Sequence, residues 1–177
     1  MKHNFPSLKA SLVIALALFA NSVIAGEKLD DATIFAIFDQ ANGTDIWTGR
    51  LGVKYGHSDE VRALGKMVAT DHVAVQQMGR DLAEKLGIIP TPPANDTSAE
   101  NLAKAVALLQ SKSGTEFDRA YLRHEIAFHQ SVIDAIKGTL LPAVKNNEFK
   151  ELIKKVLPGF EHHLAATKAA ANKLGHH

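Results

Sequence analysis

Residues 59–86 read DEVRALGKMVATDHVAVQQMGRDLAEKL, and this stretch decides the fold. Val61, Gly65, Val68, His72, Val75, Gly79, Leu82 and Leu86 follow one another at steps of three or four, the repeat of one helical face. Ser58 is a good N-cap, and Asp59 and Glu60 stand where the helix dipole favours anions. Gly87 is placed to end the helix, and Pro90, Pro92 and Pro93 prevent it from continuing.

The same period extends outward in both directions. A helix over Asp31–Tyr55 precedes the turn Gly56-His57-Ser58. Ile88 to Asp96 reads as a loop, and Thr97 to Glu100 as a capping box opening a short helix to about Leu109. Gly114 breaks the chain, and Thr115 to Asp118 caps a fourth helix to about Leu141. Pro142 and Asn146-Asn147 mark a turn before a fifth helix, about Glu148 to Leu174, ended by Gly175. Pro158 lies inside that helix and predicts a kink. His176 and His177 are left as an unstructured polar tail. Strand-like alternation is absent, so the expected class is all-α: two antiparallel hairpins in a four-helix bundle, joined by a short crossover helix.

Composition narrows the chemistry. The 177 residues are 46% hydrophobic, which excludes a disordered chain. The absence of Cys removes disulfides, thiolate metal sites and Cys nucleophiles. A formal net charge of +1 offers no nucleic acid an electrostatic footprint. Gly49, Gly52 and Gly56 do not have the spacing of a phosphate-binding loop. His124-Glu125 with His129 resembles the zinc-protease motif, but the two His are five apart rather than four and face different directions. Asn42-Gly43-Thr44 and Asn95-Asp96-Thr97 match the glycosylation triplet, which is common by chance and void in a bacterial chain.

One constellation survives. Each long helix carries one ionisable residue of metal-ligand chemistry near the middle of its apolar face: Asp45, His72, His129 and His163. Asp45 lies about 12 residues before the first turn and His72 about 15 after it, or about 18 and 22 Å along a helix. His129 lies about 16 residues before the last turn and His163 about 18 after it, or about 24 and 27 Å. All four side chains are therefore expected at one level of the core. Three imidazoles and a carboxylate suit one divalent ion: zinc, iron, manganese or copper. A hydrogen-bonded polar cluster without metal is the alternative. Asp71 is read as exposed or as orienting His72. Glu125 is read as a surface acid beside Arg123, with a ligand or orienting role as the alternative. His162 is an alternative to His163, His57 and His124 are read as surface residues, and Trp47 and Tyr121 as packing.

The segments Gly43–Leu51, Met67–His72, Phe117–Tyr121 continuing to His129, and Leu157–Leu164 resemble the bacterial family called domain of unknown function 4142. That family is often labelled putative outer-membrane protein and has a ferritin-like helical fold. The resemblance implies that fold, export, and histidines at positions 72, 129 and 163, with Glu more usual where this chain has Asp45. It implies no activity. The di-iron signature of ferritin-like oxidases needs Glu three residues before a ligating His, and Ala69, Ile126 and Phe160 stand there instead. The readings left open are a metal-holding protein, a redox metalloenzyme acting on oxygen species, and a metal-free interaction module of the cell envelope. No protein partner is indicated.

Lys2 and Lys9, the apolar run Ser11 to Ala25, and Val23-Ile24-Ala25 compose a secretory signal, shorter than the ~20 residues of a membrane span. The expectation is a leader over 1–25 and one helical domain over 26–177, periplasmic or secreted, with no transmembrane segment after cleavage. Mass spectrometry of the soluble protein from expressing cells should find an N-terminus at Gly26; soluble protein retaining Met1 would contradict the leader.

Overall fold

The computed structural model describes residues 29–176. The leader expected over 1–25 lies outside them, as does His177. The described residues form helices α1 (Asp31–Tyr55), α2 (Asp59–Lys85), α3 (Ser98–Gln110), α4 (Gly114–Ala135) and α5 (Asn147–Lys173), with no strand among them. The all-α bundle expected from the periodicity is therefore present. Among the described residues no helix is long and apolar enough to cross a membrane.

Helix ends follow local chemistry. Asp30 accepts from the Thr33 N–H, Ser58 from Val61 and Asn146 from Phe149, so three N-termini are capped by side chains. Gly87 ends α2 at φ 64°, with its own N–H on the Glu84 carbonyl and that of Ile88 on Ala83. Gly175 ends α5 at φ 66° in the same way, so His176 is tied back to the Ala171 carbonyl at 2.9 Å rather than trailing free as expected. The expected capping boxes do not form. Thr97 makes no side-chain cap, and Asp96 accepts from the Ser98 N–H instead. At the start of α4 the acid of the box, Asp118, turns away to the neighbouring hairpin. The fourth helix ends differently too: it widens into a π turn over Ile136–Leu140 before a last turn, Leu141–Ala143. The widening stands just before Pro142, whose nitrogen has no N–H to offer the turn behind it. Helix α5 runs through Pro158 without interruption.

Two antiparallel hairpins result. Phe38 packs under Gly79, Gly43 faces Gln76, and Gly49 faces Gly65, which fixes α1 against α2. This pair is unusually close, because a Cβ at Gly49 would stand 2.8 Å from the Gly65 carbonyl oxygen. In the second hairpin Lys137 pairs with Glu161 and Lys168 with Gln130, the order of antiparallel helices. Between the hairpins the chain crosses the length of the bundle. It leaves α2 where Thr91 donates to the Ala32 carbonyl, packs α3 through the buried Leu109, and starts α4 beside the α1–α2 turn.

The core is split in two. One apolar cluster holds Ile34, Phe35, Phe38, Val132, Phe149, Ile153 and Phe160, with Phe35 stacked on Phe149. The other holds Leu51, Val61, Leu64, Val68, Leu109, Phe117 and Leu122. Between them lies a buried polar layer. Since a Cβ on Gly65 would meet the Gly49 carbonyl oxygen at 2.6 Å, Gly65→Ala should destabilise the fold by about 1–3 kcal/mol. At Gly159 a Cβ meets nothing within 4 Å, so Gly159→Ala should stabilise α5 by about 0.5–1 kcal/mol. Urea unfolding checks the pair; a neutral Gly65→Ala would mean that the helices are not in contact there.

Candidate metal centre

The polar layer is built from all four long helices. α1 brings Asn42 and Asp45, α2 His72, α4 Glu125 and His129, and α5 His163, each at steps of three or four within its helix's buried face. All six are buried, three per cent exposed at most.

Each imidazole is held from outside by one ring nitrogen. His72 Nδ1 is 2.8 Å from Asn42 Oδ1, and the Asn42 amide is itself fixed by donating through Nδ2 to the Phe38 carbonyl at 2.7 Å. The oxygen of Asn42 therefore faces the ring, and His72 Nδ1 must carry the proton. His129 Nδ1 donates to the Glu125 carbonyl at 3.0 Å, and His163 Nε2 to Asp71 Oδ2 at 2.9 Å. With the outer nitrogens protonated, the inner ones bear lone pairs: His72 Nε2, His129 Nε2 and His163 Nδ1.

Those lone pairs converge. His72 Nε2 stands 3.2 Å from His163 Nδ1, 3.3 Å from Asp45 Oδ2, and the latter is 3.9 Å from His129 Nε2. A ligand atom from each of the three histidines lies within 4.8 Å of the others, and the same holds for Asp45, Glu125 and His129. Neither oxygen of Asp45, neither oxygen of Glu125, nor His129 Nε2 has a hydrogen-bond donor. Oxygen and nitrogen atoms facing one another in a dry core repel unless a proton or a metal ion lies between them.

The protons of the layer belong on its carboxyls rather than on His72 and His129. Burial pushes the His72 imidazole down to about 2, with His129 and His163 adding to the effect. Burial, then His163, brings His129 down to about 3. Burial and the neighbouring Glu125 push the Asp45 carboxyl well up. Burial likewise raises Glu125; the hydroxyls of Thr48 and Tyr121 offset part of this, though neither meets a hydrogen bond's geometry. The two groups could hold a metal ion as they stand: three oriented imidazoles and two carboxylates, with no thiolate.

Asp45, His72, His129 and His163 thus meet at one level, and His163 rather than the exposed His162 faces inward. Glu125 is not the surface acid expected beside Arg123 but fully buried in the layer. The signal was present in Tyr121, Glu125 and His129, spaced by four, which share one face. Asn42 was read only as a glycosylation triplet; fully buried, it orients His72. Asp71 holds His163, not His72. His57 is exposed as expected, but His124 is buried against Phe128, and burial lowers its imidazole to about 4. Trp47 is 53% exposed and packs into no core.

Residues 20–170 match the family described as a domain of unknown function (DUF4142), and the chain belongs to that family. No curated protein and no solved structure matches it.

The buried groups set opposing pH dependences. The folded values of His72, His129 and His124 lie below the ordinary 6.5, so their contribution to stability is complete above about pH 6.5 and is lost as the pH falls toward those values. Asp45 and Glu125 are raised, so theirs is complete below about pH 4 and is lost as the pH rises through their folded values. Chelator-treated protein should accordingly melt highest near pH ~6 and lower on both sides. A melting series checks this; a melting temperature rising steadily above about pH 8 would contradict the buried neutral carboxyls.

Proposed function

We propose that this member of the DUF4142 family is an exported, periplasmic metal-holding protein that binds one divalent ion in its bundle core. His72, His129, His163 and Asp45 are the ligands, and Glu125 is a further carboxylate at the same point. The observation that carries the reading is convergence: His72 Nε2 stands 3.2 Å from His163 Nδ1 and 3.3 Å from Asp45 Oδ2, while the outer nitrogens of both rings are held by Asn42 and Asp71. A structural histidine in an apolar core needs one partner, and each of these has one before the inner nitrogen is considered.

Imidazole and carboxylate together suit zinc, iron, manganese or copper(II), and the absence of thiolate and thioether ligands disfavours copper(I). Such an ion supplies Lewis acidity and, if iron, manganese or copper, one-electron chemistry. The chain's own residues orient it. Asn42, the Glu125 carbonyl and Asp71 keep the rings turned inward, and Asp45 with Glu125 supplies two negative charges to balance a divalent ion. Charge balance favours the divalent state in a core that solvates no excess charge. Export rests on the charged, apolar and small-residue regions of the leader.

Elemental analysis of protein purified without an affinity tag should find about one ion per chain. At a hundredfold excess over Kd the ion should stabilise the fold by about 3 kcal/mol. His129→Ala should abolish that response and, by opening a cavity, lower the metal-free melting temperature as well. The exposed His57→Ala should change neither. A metal response that persists in His129→Ala would place the ion elsewhere and leave the core layer a purely structural cluster.

A further inference from the structure

The layer is closed toward α1, where the first hairpin is so tight that Gly49 and Gly65 meet backbone to backbone. Between α2 and α5 it is not closed. A groove there is lined by Asp71, His72 and Val75 on one side and by Lys155, Gly159 and His163 on the other. Above Gly159 a Cβ would meet nothing within 4 Å, so the groove is open over α5. Its donors are graded by depth: the Asp71 side chain is 54% exposed, His163 4% and His72 1%. One oxygen of Asp71 is on His163 Nε2 at 2.9 Å, and this pair joins the surface carboxylate to the inward-facing ring.

We propose that this groove is the way in for the metal, and that Asp71 is its capture ligand: a divalent cation is bound first by the half-exposed carboxylate and is then passed to His163 and His72. The inference rests on the metal reading above. The occupant is a cation because the exposed end of the ladder is a carboxylate and its deepest atoms, His163 Nδ1 and His72 Nε2, are ring nitrogens, a set that favours a cation although Lys155 stands on the opposite wall. Transfer along such a ladder replaces water by protein donors one at a time, so the ion need not shed its hydration shell in a single step. The carboxylate also attracts the cation across the last few ångströms, within reach of salt screening.

The experiment is rapid mixing of the chelator-stripped full chain with Co2+, followed by visible absorbance, with release measured by competition with chelator. Asp71→Asn keeps an acceptor for His163 Nε2–H and removes the charge. It should bind the same amount of Co2+ but about tenfold more slowly, with a flatter dependence on salt. Gly159→Leu, placed over the groove, should slow uptake and release by the same factor and leave Kd unchanged, because a barrier acts on both directions. Ala169→Leu, in the neighbouring hollow along the same two helices, is the control and should behave as wild type. Uptake at the wild-type rate in both Asp71→Asn and Gly159→Leu overturns the entrance while leaving the metal site standing. An Asp71→Asn effect confined to release does the same, since it reduces Asp71 to an orienting partner. A wild-type protein that takes up no Co2+ overturns the metal reading and this one with it.

Discussion

The structure is organised around a polar layer sealed from water. Two groups of buried donors that share His129, one with His72 and His163 and one with Asp45 and Glu125, lie in a layer that the two apolar clusters seal above and below. In water such groups would turn away and be solvated. Here they are prevented from turning by partners on their far sides: Asn42 for His72, the Glu125 carbonyl for His129, Asp71 for His163. Packing adds to the restraint. The Phe160 ring stands edge-on to His72 at 4.8 Å between centroids and tilts against His129 at 6.2 Å, so neither imidazole has room to rotate. The fold holds these side chains in place as a set that could hold a metal ion.

Phe160 also separates this site from the di-iron arrangement of ferritin-like oxidases. That arrangement needs a carboxylate three residues before a histidine on each of two helices, whereas Glu125 stands four before His129. Phe160 occupies the corresponding place before His163, Ile126 before His129 and Ala69 before His72. The carboxylates present, Asp45 and Glu125, come from α1 and α4, and Asp45 Oδ2 stands 3.3 Å from His72 Nε2 and 3.9 Å from His129 Nε2. Two negative charges match one divalent ion, whereas two ions would leave a double positive charge in a dry core. The layer thus holds two acids where the di-iron arrangement uses four.

The elements, and the burial of Asp45, His72, His129 and His163 at one level, were legible because helical period and residue type carry the same information. A histidine at the right phase of an apolar stripe is buried whatever its neighbours, and hairpin lengths give its height. Glu125 was misread because an acid beside Arg123 is ordinarily a surface pair, and only the spacing-by-four series with Tyr121 and His129 places it inside. Asn42 was missed because a carboxamide that orients a ring has no signature until the ring is seen beside it. The capping boxes failed for a related reason: Asp118 had a stronger use across the bundle than at its own helix start, and local sequence does not reveal tertiary competition.

That tertiary use of Asp118 bears on the site itself. Its two oxygens accept from the His57 and Ser58 N–H groups at 2.8 and 2.9 Å, so the first residues of α4 clamp the α1–α2 turn. At the opposite end the two oxygens of Asp31 accept from the Lys145 and Asn146 N–H groups, each at 2.8 Å, so the start of α1 clamps the turn before α5. Each hairpin's turn is thus held by an acid of the other hairpin, and the relative height of the two hairpins is fixed at both ends. A slip of one helical turn would move His129 and His163 about 5 Å from Asp45 and His72, enough to dissolve the cluster. Both clamps are made without reference to the polar layer, so the level of the ligands is set by the bundle and not by whatever binds among them. The layer is in this sense preformed: its side chains are already at height, and binding energy among them need not be spent on bringing the hairpins into register.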